Sequence, residues 1–169
     1  MDTSTAHKLI ELNRRFYDTF AAEFANSRSA FQPGIPRALA VLGHVDSVLD
    51  VGCGDGRLLE EMAATYGCEI SGIEPGKSSA PDRLGDRLRE FHKISVEREP
   101  LESRFDLVLC TEVIEHLHQP ELAAKNMAAM CRGHLIVTVP SGPLRKTDEY
   151  MGHVRHYTVA ELTELLSAA

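Results

Sequence analysis

The segment 48-VLDVGCGDG-56 sets glycines at 52, 54 and 56, directly behind a short apolar run. Glycine loses more chain freedom on ordering than any other residue, so such a cluster needs a physical reason. An apolar strand that turns at once into a helix supplies one. The turn must be tight, the backbone must accept a close neighbour, and the helix must start near the sheet. Such a turn also aims backbone N–H groups and the positive end of the helix dipole at a ligand crevice. Gly52 and Gly54 read as the points of close ligand approach, and Gly56 as the point where the helix nears the sheet.

The rest of the chain fits that start. Leu9, Leu12, Phe16, Phe20 and Phe24 recur at steps of three and four, which predicts a helix over Ala6–Asn26. Ser27–Pro36 breaks it, and a second helix is expected over about Arg37–Leu42. Val48–Val51 reads as an apolar strand, followed by a helix from about Gly56 to Tyr66 that Gly67 caps. Glu69–Glu74 reads as a second strand. Ser79 and Asp82 have the spacing of an N-cap pair and predict a helix to about Phe91. Lys93–Glu97 is expected as a third strand, Phe105–Thr111 as a fourth and His134–Val139 as a fifth. Pro120 suits the first turn of a helix reaching Met130, and Thr158 with Glu161 forms a capping box for a last helix. Strand–helix alternation of this kind implies a doubly wound parallel sheet, whose ligands bind beyond the carboxyl ends of the strands.

Composition sets bounds on partners. The 169 residues suffice for one domain with a real core, and 43% hydrophobic with 25% charged residues is ordinary for a globular protein. A net charge of −7 with no Lys/Arg block counts against a surface built to neutralise nucleic-acid phosphates. Cys53, Cys68, Cys110 and Cys131 form no C-x-x-C pair and read as free thiols in a reducing compartment. No secretory leader or membrane-length apolar run is present, so a cytoplasmic location is expected.

Counting excludes two nucleotide motifs. A dinucleotide fingerprint starting at Gly52 needs glycine at 57, where Arg57 stands. The stretch 72-GIEPGKS-78 is one residue short of a phosphate-cradling loop, with Ser71 where the first glycine belongs. What remains is Asp50-Val-Gly52-Cys53-Gly54-Asp-Gly56, which closely resembles the first motif of class I S-adenosylmethionine-dependent methyltransferases of the small-molecule type. The stretches 105-FDLVLCTEVIEHLHQP-120 and 135-LIVTVPSGP-143 are similar to that family's fourth and fifth strands and their exits. The segment 16-FYDTFAAEFANSR-28 resembles its N-terminal cap helix.

The resemblance implies a Rossmann-like sheet in the order 3-2-1-4-5, with residues 1–45 as cap helices and 46–169 as the core. It implies S-adenosyl-L-methionine as cofactor, S-adenosyl-L-homocysteine as product and a small-molecule acceptor methylated on oxygen, nitrogen or carbon. Asp50 would then hold the methionine ammonium, directly or through water. Gly52, Cys53, Gly54 and Gly56 would line methionine and ribose, and Glu74, followed by Pro75, would accept hydrogen bonds from the ribose hydroxyls. Val96 or Glu97 would lie near the adenine, and Cys110, Thr111 and Glu112 would pass beneath the ligand. The family's C-terminal antiparallel hairpin has no counterpart after Val139. That leaves the expectation of a truncated chain, or of a fifth strand whose open edge pairs in a homodimer.

Glu112-Val-Ile-Glu115-His116, with His153, shares the spacing of the metal-binding motif in small-RNA 2′-O-methyltransferases. Two carboxylates and two imidazoles suit a divalent ion that activates a ribose hydroxyl. The acidic charge favours the metal-free reading, in which His116 and His153 are the general-base candidates. His118, His134 and His156 are assigned structural or exposed roles, and Tyr17 packs from the cap helix. An RNA methyltransferase, of that type or of the tRNA wobble-uridine type, and a catalytically silent cofactor-binding module are the alternatives.

Overall fold

In a computed structural model the described residues are 34–169, so the helix expected over Ala6–Asn26 and the position of Tyr17 lie outside them. The elements run in the order α1 (Gly34–Leu42), β1 (Ser47–Val51), α2 (Arg57–Tyr66), β2 (Glu69–Ile73), α3 (Ala80–Leu84), β3 (Leu88–His92), β4 (Phe105–Thr111), α4 (Pro120–Met130), β5 (Cys131–Thr138), α5 (Lys146–Tyr150) and α6 (Val159–Ser167). All strand pairs are parallel, as the alternation of elements implied, and the sheet order is β3-β2-β1-β4-β5, as the family resemblance implied.

The sheet separates two apolar layers, and β4 shows how. Its side chains alternate, so Leu107 and Leu109 enter one layer while Val108 and Cys110 enter the other. The first layer is closed by α1, α2 and α3 through Ile35, Leu39, Leu58, Leu59, Met62, Ala80 and Leu84. The second is closed by α4 through Ala123, Met127 and Met130, with Leu165 of α6 packed against it. Truncating one of the large, fully buried side chains to alanine costs about 2–5 kcal/mol.

Local signals set the helix ends. Gly67 takes a φ of 66° and donates its N–H to Ala63 O at 3.1 Å, closing α2. Thr158 and Glu161 form the reciprocal capping box of α6, with the Glu161 carboxylate accepting from Thr158 N at 2.8 Å. Helix α4 spans Pro120–Met130, with the proline in its first turn.

The segment 79–97 departs from expectation. The helix stops at Leu84, and Leu88–His92 is the third strand, not Lys93–Glu97. The cause is a bulge. Ile70 pairs with Leu88 but Ser71 pairs with Glu90, leaving Arg89 extra. That extra residue turns Leu88 and Phe91 to the same layer although they are three apart, which mimics a helical step. The proposed Ser79 cap is also absent. Ser78 Oγ accepts from Ala80 N at 3.0 Å instead, and Ser79 makes no capping bond. A similar shift starts β5 at Cys131, earlier than expected. Gly133 stands so close that an added Cβ would lie 2.3 Å from Asp106 O.

At the amino-terminal edge of the sheet, Asp106 locks three strands. Its carboxylate accepts from Ser47 N at 3.0 Å and Ser47 Oγ at 2.9 Å, and from Arg132 Nε at 2.7 Å. The Arg132 guanidinium holds this carboxyl well below the usual carboxylate range.

Candidate functional site

The carboxyl edges of β1 and β2 build the first half of the site. Gly52 N and Cys53 N both donate to Ile73 O, at 2.8 and 3.1 Å, and Gly56 N donates to Cys53 O at 2.9 Å. Gly54 N donates to the Glu74 carboxylate at 3.1 Å. These amides of the loop are therefore spent inside the protein, so the loop is no cradle for an anion. That differs from the expectation of free N–H groups, because the β2 exit lies close enough to take them.

The three glycines have three different reasons. A Cβ on Gly52 would meet Val113 Cγ2 at 2.3 Å, so Gly52 makes room for a side chain of the protein. Gly56, at a φ of 81°, packs against Ala80 of α3 rather than against the sheet. Only Gly54 faces open space, at a φ of 53° with nothing within 4 Å of an added Cβ. It is the point where a ligand can touch this backbone.

Asp50, near the end of β1, is 2% exposed and its Oδ1 has no hydrogen-bond partner. Burial, then the nearby Glu74 charge, pushes its carboxyl up to about 8. Glu74 caps two loops, accepting from Gly54 N at one oxygen and from Gly76 N at the other, at 2.8 Å. Pro75 is exposed beside it. The thiols of Cys53 and Cys110 are buried and pushed well above the usual thiol range, burial being the main cause. They act here as small apolar groups.

Thr111 ends β4 half-buried, and Glu112 follows at a φ of 56°, the one non-glycine residue in left-handed backbone among those described. Such strain persists only where surroundings enforce it. Glu112 N donates to Thr138 O at 3.0 Å, and Thr138 Oγ1 donates to the Glu112 carboxylate at 3.2 Å. Val96 and Glu97 lie in the β3–β4 connection. The Val96 side chain is in the core, and its carbonyl accepts from Asn126 Nδ2 at 2.7 Å. The Glu97 carboxylate accepts from Gln119 N at 2.6 Å, at the start of α4.

The second half of the site is a histidine cluster. Glu115 is fully buried, and His116 Nε2 lies 3.9 Å from its Oε1. The rings of His116 and His153 meet edge to face at 4.7 Å. His153 Nδ1 lies 3.0 Å from His156 Nε2, and Asp148 Oδ2 is 3.8 Å from His156 Nε2. The backbone sets the ring tautomers. A carbonyl only accepts, so His116 Nδ1 donates to Gly152 O at 3.1 Å and His156 Nδ1 to Gly142 O at 3.0 Å. His153 Nδ1 and His156 Nε2, 3.0 Å apart, share a hydrogen bond that joins the two rings. His156 was assigned a structural or exposed role in the sequence and Asp148 was not singled out; the i, i+3 spacing of His153 and His156 was the one signal that could have joined the two rings. A cavity of about 420 Å³ opens beside His156, lined by Val139, Gly142, Tyr157, Val159 and Leu162 among others.

Fold and site together define a doubly wound α/β domain with two carboxylates, Asp50 and Glu74, at the carboxyl edge of β1 and β2 and a histidine cluster beyond β4 and β5. The methyltransferase-domain family model matches residues 6–169, and the chain belongs to that family of class I S-adenosylmethionine-dependent methyltransferases. It is 32% identical over 91 residues to a ubiquinone biosynthesis O-methyltransferase of Coxiella burnetii, which takes in 50% of this chain and 38% of that relative. A ubiquinone biosynthesis O-methyltransferase of Nitrosospira multiformis matches at 27% over 139 residues, 73% of this chain and 57% of its own length. The chain thus spans well under two thirds of these relatives. Among solved structures it is similar in fold to the Burkholderia thailandensis 1,6-didemethyltoxoflavin-N1-methyltransferase, crystallised with S-adenosylhomocysteine. The TM-score is 0.76 at 23% identity, over 96% of this chain and 77% of that one. Asp50 Oδ1, a buried acceptor without a donor, and the open face of Gly54 both fit the family's cofactor.

Proposed function

We propose that this domain methylates a small-molecule acceptor, with Asp50, Gly54 and Glu74 holding the donor and His116 and His153 serving the acceptor. The observation that carries the reading is Asp50, a carboxyl group kept buried with an unused acceptor atom beside Glu74. A buried polar atom without a partner costs stability, and a ligand ammonium offsets that cost. Glu74 has lone pairs to spare for two ribose hydroxyls after its two backbone bonds. When bound, S-adenosylmethionine supplies an activated methyl group on a sulfonium. The protein's task is to align the partners and exclude water. His116 or His153 would take the proton that the acceptor gives up.

The acceptor's class follows from the surroundings. The cavity beside His156 is mostly apolar, its size falls within the range of small-molecule sites, and the net charge of −7 disfavours a polyanion. The relatives' names add an O-methyl acceptor as the first to test. Within this reading residues 1–169 act as one domain in a reducing, cytoplasmic compartment. None of the described helices is long and apolar enough to cross a membrane. Strand β5 ends the described sheet, and self-pairing there would give a homodimer, which light scattering detects.

A second reading is a divalent-ion site, because Glu115, His116 and His153 each bring a ligand-capable atom within 4.8 Å of the others. Calorimetry with S-adenosylhomocysteine and then with Mn²⁺ decides between them. The first reading expects micromolar S-adenosylhomocysteine binding that survives His116→Ala and His153→Ala, with turnover on a phenol panel lost in both. Failure of the wild type to bind S-adenosylhomocysteine would sink it. Stoichiometric Mn²⁺ binding, lost in His153→Ala, would establish the second.

A further inference from the structure

The glycine loop is held by two side chains, Ser78 and Arg83, from the segment that leads into and forms α3. Ser78 Oγ donates to Gly54 O in a short hydrogen bond of 2.5 Å, while accepting from Ala80 N. Arg83, on α3, donates from Nε to Asp55 O at 2.9 Å, and its terminal nitrogen lies 3.4 Å from the Asp55 carboxylate. Glu74 closes the same loop from the other side, through Gly54 N. Gly54 is thus bonded at both its N–H and its carbonyl, and the next carbonyl is held as well. This is the residue at which an added Cβ would meet nothing within 4 Å.

A left-handed glycine between two free peptides would sample many orientations, because glycine has the widest backbone choice. Fixing both neighbouring peptides removes that freedom before the ligand arrives. A ligand that binds an ordered loop does not bear the cost of ordering it. We propose that Ser78 and Arg83 are positioning residues for the cofactor, setting its affinity by pre-ordering Gly54 and Asp55 without contacting it. The inference rests on the donor-site assignment above.

Chemistry ranks the two. Ser78 is half-buried and its bond is a well-placed hydroxyl-to-carbonyl contact, so its removal should matter most. The Arg83 side chain is about one-third exposed, and its ion pairs with Asp55 and Glu60 are long at 3.4 Å, which water screens. Its effect should come through the bond to Asp55 O. Arg87 supplies an internal control, since it pairs with Glu60 at 3.1 Å rather than with the loop.

The test is calorimetric titration of S-adenosylhomocysteine into the full chain and its variants, with apo melting temperatures and hydrogen exchange over residues 52–57. Ser78→Ala should weaken binding about tenfold and Arg83→Met about fivefold, the size expected for one lost hydrogen bond. Exchange at 52–57 should rise in both, with the sheet unchanged. Ser78→Thr, which keeps the hydroxyl, should restore affinity to within about twofold of the wild type. Arg87→Met should leave affinity as it is. If Ser78→Ala does not fold, Arg83→Met with its exchange readout decides alone. Unchanged affinity in a folded Arg83→Met, or an equal loss in Arg87→Met, overturns the proposal. A wild type that does not bind S-adenosylhomocysteine overturns the donor-site reading instead.

Discussion

Two aspartates on neighbouring strands stand at opposite edges of the same sheet and have opposite fates. Asp106, at the amino-terminal edge, is wrapped by Ser47 and Arg132, and the guanidinium holds its carboxyl well below the usual range. Asp50, at the carboxyl edge, is more deeply buried, lacks a donor at Oδ1 and is pushed up to about 8. One edge spends its charge on joining strands. The other keeps an acid whose ionised form destabilises the fold until a ligand answers it. Parallel sheets place their ligands at the carboxyl edge, and here the electrostatics divide in the same way.

The deepest way to break this contrast is at Asp50. Asp50→Asn should weaken S-adenosylhomocysteine binding by about a hundredfold or more, since a charged partner is lost at a buried site. The same variant should melt higher than the wild type. The sign follows from linkage. A raised carboxyl contributes stability below its unfolded value near 3.8 and loses it as pH rises through about 8. The melting advantage of Asp50→Asn over the wild type should therefore widen between pH 5 and pH 8, as calorimetric scans at both values would show. A destabilised Asp50→Asn would mean the carboxylate is structural.

The glycines sharpen the comparison within the functional edge. Gly52→Ala should cost about 2–3 kcal/mol in denaturant unfolding, because a β-carbon there collides with Val113 in left-handed backbone. Gly54→Ala meets no protein atom and should cost only about 1 kcal/mol, while weakening S-adenosylhomocysteine binding. Equal stability losses would remove the distinction between a packing glycine and a ligand-facing one.

The smallest effect belongs to the other edge. Asp106→Asn should cost about 1 kcal/mol near neutral pH, discounted because Arg132 is half-exposed, and should leave S-adenosylhomocysteine affinity unchanged. Its lowered carboxyl contributes stability above the unfolded value near 3.8, so the gap to wild type should close as pH falls below about 4.

The residues proposed to hold the donor were marked in the sequence because they are contiguous. Asp50, the three glycines and Glu74 lie within 25 residues, and an apolar strand ahead of them fixes the edge they occupy. Their division of labour was not legible. Whether a glycine serves a ligand or a neighbour depends on Val113 and Ala80, which arrive from distant segments. The histidine end was half legible. His116 and His153 were marked by chemistry, but the His156 ring that bonds His153 and the carbonyls of Gly142 and Gly152 that orient the cluster were not. The misplaced third strand has the same root, since a single bulge at Arg89 changed which period the apolar residues displayed.

The sequence by itself determined the alternation of elements, the parallel sheet and the cofactor class, because these depend on local periodicity and on a short motif. Tertiary structure decided which atoms are left without partners, which loops are held and which nitrogens carry protons. Those properties depend on what burial and long-range contacts bring within about 3 Å, the distance over which hydrogen bonds act.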